Sequence, residues 1–334
     1  MSLDPQERML DLMRRCRPAM RFSPGDDFSA WQGRARARLG ALLGMDRLER
    51  TDPALRVDWT REENGVRETR FFFDTEPGVT AVAHLLVPAD RPGPLPLIVC
   101  LQGHSKGVHI SLGRPIYPGD EATIAGDRDF ARQIVRRGQA ALALEQRAFG
   151  ERGGTENGPA CQQPAVQALM LGQTLIGQRC WDVSRAIDVT LASFEGLDAS
   201  RVAVMGNSGG GTASIYAAAV DERIAAAMPS CAFSGFMASI GAQAHCLCNY
   251  VPGIMNDFDM GDLLGLIAPR PLVIVSGRDD GIFPLAEALE QADIAKAAYA
   301  AAGVSARFEH VVGQAGHRFY AEQGWAAFDR VTGW

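Results

Sequence analysis

The residues best suited to chemistry lie in one glycine-rich segment, 206–210, which reads Gly-Asn-Ser-Gly-Gly. This Gly-x-Ser-x-Gly pattern follows the apolar run 202–205 and precedes an alanine-rich stretch, 213–220. A strand, tight turn and helix of this kind hold a serine in a strained conformation that only small neighbours permit. Ser208 is therefore predicted to be a nucleophile whose hydroxyl projects above a sheet edge, at the positive end of the helix. The alternative is a glycine-rich turn with an incidental serine.

A nucleophilic serine on such a turn needs an orienting carboxylate and a basic histidine, which follow it along the chain in that order. After the apolar strand 271–276, a loop of Gly, Asp and Pro residues contains Asp279 and Asp280, which both qualify for the carboxylate. Either could also be a loop aspartate that bonds its own backbone. His317 follows the next predicted strand in a glycine-containing loop, so it is the predicted base. His310 lies within that strand and is expected to pack or to face solvent.

Backbone N–H groups must stabilise the negative oxygen that forms when a serine attacks a carbonyl carbon. The N–H of Gly209, the residue after the nucleophile, is one predicted donor. The apolar strand 96–101 ends in Gln102-Gly103-His104, where a second donor is expected, and the N–H of His104 is the candidate. The side chain of His104 either belongs to the site or is that of an ordinary loop residue.

The elements that would position these residues alternate between strand and helix, which predicts an α/β fold with a doubly wound, mostly parallel sheet. Residues 1–55 are predicted to be a helical N-terminal extension, and residues 56–334 the main domain. The alternating apolar and polar residues of 66–73 and 82–87 predict an antiparallel strand pair near its start.

Two insertions, near 105–129 and 233–267, are expected to shape a pocket around the serine. The second is rich in Gly, Met, Cys and aromatic residues, which favours an apolar wall. Arg147 and Arg152 follow the predicted strand 140–144, on the side of the sheet where ligands bind in such folds. They are candidates for contact with a carboxylate or sugar hydroxyl. The alternative is that they pair with neighbouring glutamates and brace the loop.

Composition excludes several other classes of protein. A formal net charge of −6 gives no basic surface for nucleic acid. The alternating Arg34, Arg36 and Arg38 are expected on the solvated side of an N-terminal helix. No apolar run approaches the roughly 18 residues of a membrane span, and the N-terminus lacks the apolar core of a signal peptide. A cytoplasmic protein is therefore expected, and the sequence favours no particular oligomeric state.

The seven cysteines do not predict a disulfide framework, because their number is odd and they are scattered along the chain. The sequence His245-Cys246-Leu247-Cys248 suggests metal ligands. Its cysteines are closer together than the usual Cys-x-x-Cys zinc pair, and no second pair follows elsewhere. On this spacing no metal site is expected.

The chain resembles α/β-hydrolases of the acetyl xylan esterase-like branch, which are related to dienelactone hydrolases and prolyl-oligopeptidase-type catalytic domains. The similarity covers roughly residues 70 to 325. Besides the segment around Ser208, it is carried by 144–153, 245–253 and 266–272. The pattern Gly-x-x-Asp-x-x-x-Pro resembles the acid loop of these enzymes and favours Asp280 over Asp279.

This resemblance implies a serine esterase that acts on acyl or sugar esters through Ser208, His317 and Asp280, with a small-molecule ester as its partner and without a metal or organic cofactor. A dienelactone-type lactone hydrolase and a prolyl-oligopeptidase-like peptidase are the enzymatic alternatives. The peptidases usually carry an N-terminal propeller, for which 334 residues leave no room. A non-catalytic binding protein on the same scaffold is the remaining alternative.

Overall fold

The computed structural model describes residues 3–91 and 93–334. Within these residues nine strands form one sheet, in the spatial order β1-β2-β3-β5-β4-β6-β7-β8-β9. The strands are β1 (Arg56–Glu63), β2 (Val66–Glu76), β3 (Val79–Pro88), β4 (Leu95–Leu101), β5 (Ala140–Leu144), β6 (Leu197–Asn207), β7 (Ala226–Ser230), β8 (Leu272–Gly277) and β9 (Phe308–Gly313). The first three strands and the β3–β5 pair are antiparallel, and all later pairs are parallel. The predicted α/β fold with a mostly parallel sheet is confirmed.

Helices cover both faces of the sheet. They are α1 (Pro5–Arg15), α2 (Phe28–Leu43), α3 (Asp120–Ile124), α4 (Phe130–Arg136), α5 (Gln162–Met170), α6 (Leu175–Ser193), α7 (Gly209–Val220), α8 (Ile254–Asp257), α9 (Met260–Gly265), α10 (Leu285–Ala301) and α11 (Ala321–Thr332). Alternate residues of β4 show the two layers: Val99 belongs to a core with α2, α6, α7 and α10, whereas Ile98 belongs to a core with α4 and α11. Because both faces are covered, β4 is apolar and buried throughout. No helix in the described part of the chain has the length and apolar character needed to cross a membrane.

Helix α7 begins directly against the end of β4, and glycine makes this approach possible. A Cβ on Gly210 would lie 2.0 Å from the carbonyl oxygen of Leu101 and 2.6 Å from that of Gln102. No side chain fits at these distances. The turn between β6 and α7 is thereby held at the carboxyl ends of the central strands, the edge at which α/β sheets bind ligands.

Helix α2 packs on the main core through Trp31, which is 2 % exposed, and Leu39, which is fully buried. The expectation that its arginines form a solvated face is correct for Arg34 and Arg38, which are exposed, and wrong for Arg36, which is half-buried. Arg36 donates to the carbonyl oxygens of Ala219 and Leu266 at 3.1 Å. Arg38 pairs with Asp257 at 2.6 Å. These two side chains fix α2 to α7, to α8 and to the residue after α9.

Candidate active site

Ser208 lies at the turn between β6 and α7, with φ 56° and ψ −125°. A positive φ at a residue with a side chain is strained, at a cost of about 1–3 kcal/mol. The turn is fixed because the Ser208 N–H donates to the carbonyl oxygen of Ser230 at 2.8 Å, and its carbonyl accepts from the N–H of Thr212 at 2.8 Å. The strained backbone keeps the half-buried serine at the start of α7, as predicted for the Gly-x-Ser-x-Gly segment.

His317 and Asp280 form a hydrogen-bonded pair. The Nδ1 atom of His317 lies 2.9 Å from Oδ2 of Asp280. The other carboxylate oxygen, Oδ1, accepts from the N–H groups of Ile282 at 2.9 Å and Phe283 at 3.2 Å. The ring of Phe283 stacks on the imidazole, with 6.2 Å between centroids and 16° between planes. The two N–H groups and the stacked ring together hold the pair in one orientation.

The environment of Asp280 favours its charged form. Burial raises the pKa of its carboxyl, but the hydrogen bond and charge of His317 and the two N–H groups outweigh burial, so the pKa lies below its usual value. Asp280 is 4 % exposed, whereas Asp279 is exposed to solvent. Of the two aspartates that the sequence left open, the structure brings Asp280 to the histidine.

Two cavities meet at Ser208. The smaller, of about 220 Å³, is lined by Ser208, His317 and the segment Gln102-Gly103-His104, and also by Ile110 and Phe130. The larger, of about 400 Å³, is lined by Ser208 and Gly209 and by residues 243–246. Segments 105–129 and 233–267 thus contribute walls on different sides of the serine. The predicted nucleophile and base share the smaller cavity, next to the predicted oxyanion donors.

The segment 102–104 lies against the serine turn. A Cβ on Gly103 would be 3.1 Å from Cβ of Ser208 and 2.8 Å from the carbonyl oxygen of Asn207. Gly209 is the first residue of α7, where backbone N–H groups have no partner within the helix. A Cβ there would lie 2.5 Å from Nδ1 of His104. The two predicted donor residues are therefore in direct contact.

A buried acid that sequence reasoning did not assign to the site supports this segment. Glu145, at the end of β5, accepts from Nε2 of Gln102 at 2.6 Å and from the N–H of Val108 at 2.9 Å. Gln146 donates to the carbonyl oxygen of Gln102 at 2.6 Å. Burial raises the pKa of the Glu145 carboxyl to about 7. The available signal was an acidic residue directly after an apolar strand, since such a residue is seldom buried without a partner.

The structure does not bring Arg147 or Arg152 to the serine. Both pair with Asp182 of α6, at 2.8 and 2.6 Å, and Arg147 also pairs with Glu76 at 2.6 Å. Asp182 is 1 % exposed, and neither arginine lines either cavity. In this position the two arginines do not make the predicted contact with substrate. Both instead brace the loop after β5, and they do so by pairing with acids that are distant in sequence rather than with neighbouring glutamates.

Four possible metal ligands meet beside the larger cavity: His104, Cys161, Cys246 and Cys248. One ligand atom from each lies within 4.8 Å of all the others. The sequence alone indicated Cys246 and Cys248 as possible metal ligands, but it indicated no second pair of ligands to complete a site. The fold supplies partners from the loop after β4 and the start of α5, and no local spacing signals such long-range neighbours.

Residues 42–240, more than half of the chain, match the acetyl xylan esterase (AXE1) family. This chain belongs to that family. It is therefore an enzyme, a carboxylic ester hydrolase, rather than a binding protein on a hydrolase scaffold. It is 28 % identical to the Bacillus subtilis (strain 168) protein YtaP, described by name as a hydrolase, over 289 residues that cover 84 % of this chain and 92 % of YtaP.

Solved structures share the fold of this acetyl xylan esterase family member. A Bacteroides fragilis NCTC 9343 protein described as an acetyl xylan esterase has a TM-score of 0.79 at 19 % identity, covering 93 % of this chain and 83 % of its own. A glucuronoyl esterase from Solibacter usitatus has a TM-score of 0.68 at 18 % identity, covering 94 % and 96 %. At these identities the likeness establishes the common fold.

Proposed function

We propose that this acetyl xylan esterase family member hydrolyses short acyl esters, acetylated sugars among them, with Ser208 as nucleophile, His317 as base and Asp280 as the orienting acid. The observation that supports the proposal most is the Asp280–His317 hydrogen bond of 2.9 Å beside a serine held at positive φ in the same cavity. One similar protein is described as an acetyl xylan esterase and another as a glucuronoyl esterase. Both names refer to esters of carbohydrates.

The geometry supports a two-step reaction. With its proton on Nδ1, His317 donates to Asp280, and Nε2 is left to take the proton of the Ser208 hydroxyl. The serine oxygen attacks the acyl carbon, and the negative oxygen that forms accepts from the N–H groups of Gly209 and His104. His317 then gives its proton to the leaving alcohol. A water molecule activated by the same imidazole releases the acid and restores the serine.

Each of the two cavities holds a different part of the ester substrate. We assign the acyl group to the smaller one, of about 220 Å³, because Ile110 and Phe130 close it with apolar surface. The alcohol then occupies the larger one, of about 400 Å³, where Asn249 and Gln243 offer amide groups to hydroxyls. An acetyl group fits this division better than a long acyl chain.

Hydrolysis of p-nitrophenyl acetate, butyrate and octanoate, together with acetylated xylo-oligosaccharides, tests the proposal. We expect the acetate and the acetylated sugars to be hydrolysed fastest among these esters. Ser208→Ala should lower kcat/KM by at least about 10⁴-fold. Ser200→Ala, which removes an exposed hydroxyl from the same strand, should leave the rate unchanged.

Other outcomes would contradict the assignment. Full activity of Ser208→Ala would show that another group is the nucleophile. Turnover of a prolyl peptide or a lactone, without turnover of any open-chain ester, would replace the proposal by one of the related activities. Preference for octanoate would contradict the assignment of the acyl group to the smaller cavity.

A further inference from the structure

The cluster of His104, Cys161, Cys246 and Cys248 has the composition of a metal site. Its ligand atoms come from three chain segments and all lie within 4.8 Å of one another, and Nε2 of His104 is 3.0 Å from Sγ of Cys248. Three cysteines and one histidine are one of the usual ligand sets of structural zinc. At ordinary zinc–ligand distances, the ligand atoms of a tetrahedral site lie about 3.4–3.8 Å apart. To reach zinc geometry, the wider pairs, at up to 4.8 Å, would close by about 1 Å, and the His104–Cys248 pair would open by about half an ångström.

A buried arginine beside the cluster needs a negative partner. Arg179 is 1 % exposed, and its Nη2 lies 3.2 Å from Sγ of Cys161. Its other hydrogen bonds go to the carbonyl oxygen of Arg147, and its Nη1 has no hydrogen-bond partner among the described residues. Within that same part of the chain it makes no ion pair with a carboxylate. A buried guanidinium without a counter-charge is costly.

The charges balance when a divalent cation is bound. Three thiolates around one zinc ion leave a single net negative charge, which the guanidinium of Arg179 neutralises. Cys161 and Cys248 are buried, at 2 % and 1 % exposure, so these thiolates would face the arginine away from water. The buried arginine thus favours thiolates in this cluster, and the thiolate is the form of cysteine that binds zinc.

We propose that His104, Cys161, Cys246 and Cys248 bind one zinc ion as a structural site. All four tetrahedral positions are filled by protein ligands, so the ion has no open position for substrate and takes no part in the chemistry. The proposal differs from the expectation drawn from local spacing, because two of the ligands are remote in sequence.

The zinc ion would also position the active site, an effect that rests on the proposed function. His104 is both a ligand and the residue whose N–H is assigned to the oxyanion hole, and its ring packs against Gly209. Cys246 forms part of the wall of the larger cavity. Metal binding therefore ties the oxyanion loop to that wall. Loss of the metal is expected to lower kcat by up to about 100-fold, with a smaller change in KM.

The first measurement is the metal content of the purified full-length wild type by inductively coupled plasma mass spectrometry. We expect one zinc ion per chain. Reduced, metal-stripped wild type should then bind one equivalent of Co²⁺, with the thiolate-to-cobalt charge-transfer band and the d–d bands of a tetrahedral site. This titration needs no variant, so it does not depend on whether a substitution disturbs folding.

Variants assign the ligands. Cys161→Ser and Cys246→Ser should each lose most of the zinc and the cobalt charge-transfer band. Cys16→Ser, whose half-exposed thiol lies outside the cluster, should keep both. Ser208→Ala should keep its zinc while losing esterase activity, so failure of the esterase proposal and failure of the metal proposal are distinguishable.

Three results would overturn the metal site. The first is less than a tenth of an equivalent of zinc or cobalt bound to the reduced wild type. The second is metal content in Cys161→Ser and Cys246→Ser equal to that of wild type. The third is a disulfide between two of the three cluster cysteines, found by mass spectrometry in protein that was purified without reductant and contains no metal.

Discussion

At the scale of single residues, Asp279 and Asp280 are adjacent in sequence and differ in every physical respect that matters to the proposed reaction. Asp280 is buried, accepts two backbone N–H groups and contacts His317, whereas Asp279 is exposed. The loop after β8 turns one carboxylate towards the imidazole and the other towards solvent. This pair therefore offers a matched comparison in which the chemical change is the same and only its position differs.

We expect Asp280→Asn to lower kcat for p-nitrophenyl acetate by about 10³–10⁴-fold, because an amide no longer holds the productive tautomer of His317 or stabilises its charged form. Asp279→Asn should stay within about twofold of wild type. Steady-state kinetics of the two variants check the prediction. Equal losses in both would show that the effect arises from the loop and not from the carboxylate that contacts His317.

At the scale of elements, the contact between β4 and the start of α7 determines where the serine stands. The predicted consequence is that Gly210→Ala destabilises the fold by at least about 2 kcal/mol, because its Cβ would lie 2.0 Å from the carbonyl oxygen of Leu101. Gly40→Ala in α2 is the matched control. No atom lies within 4 Å of its added Cβ, and alanine favours a helix, so it should stabilise by about 0.5–1 kcal/mol.

Urea denaturation of both variants measures these changes in the free energy of unfolding. If Gly210→Ala unfolds at the same urea concentration as wild type, α7 can move away from β4 without cost. The contact between Gly210 and the end of β4 would then not determine the position of Ser208.

Sequence patterns predicted most elements around the site, because β4, β6 and β8 are apolar strands bounded by glycine-containing turns. Other features carried no local signal. Strand β1 is exposed along nearly its whole length and has only two apolar residues, Val57 and Trp59, which are too few to establish a strand period. Helices α3, α8 and α9 span six residues or fewer, too short for a helical period to show.

The side-chain partners were the least predictable part of the site. Arg36 bonds carbonyl groups 183 and 230 positions away, and Arg147 bonds Asp182. His104 meets a cysteine 144 positions away. Such pairings depend on how the elements pack in three dimensions, and residue spacing along the chain does not contain that information.

At the scale of the whole molecule, stability should depend on pH through the buried Glu145. The pKa of this carboxyl rises from 4.5 to about 7 in the folded protein, because burial favours its neutral form. Its contribution to stability is therefore fully present below pH 4.5 and is lost as pH rises through 7. The loss amounts to at most about 3 kcal/mol at pH 8.

Glu145→Gln cannot ionise, so its free energy of unfolding should fall less than that of wild type between pH 5 and pH 8. Urea denaturation of both proteins at the two pH values measures this difference in the free energy of unfolding. The contributions of the other titrating groups are common to both proteins and cancel. Parallel pH profiles would contradict the prediction and would indicate that Glu145 is already ionised at pH 5 in the folded protein.

At Ser208, the reacting groups and the walls of the two cavities come from different parts of the chain. The serine turn and the Asp280 loop follow directly from strands of the sheet, whereas segments 105–129 and 233–267 each supply part of the wall of one cavity. Changes within either segment can reshape one side of the substrate site without moving the strands. Related enzymes can thus diverge in the esters they accept by exchanging these two segments, and grafting them between relatives offers a direct route to altered selectivity.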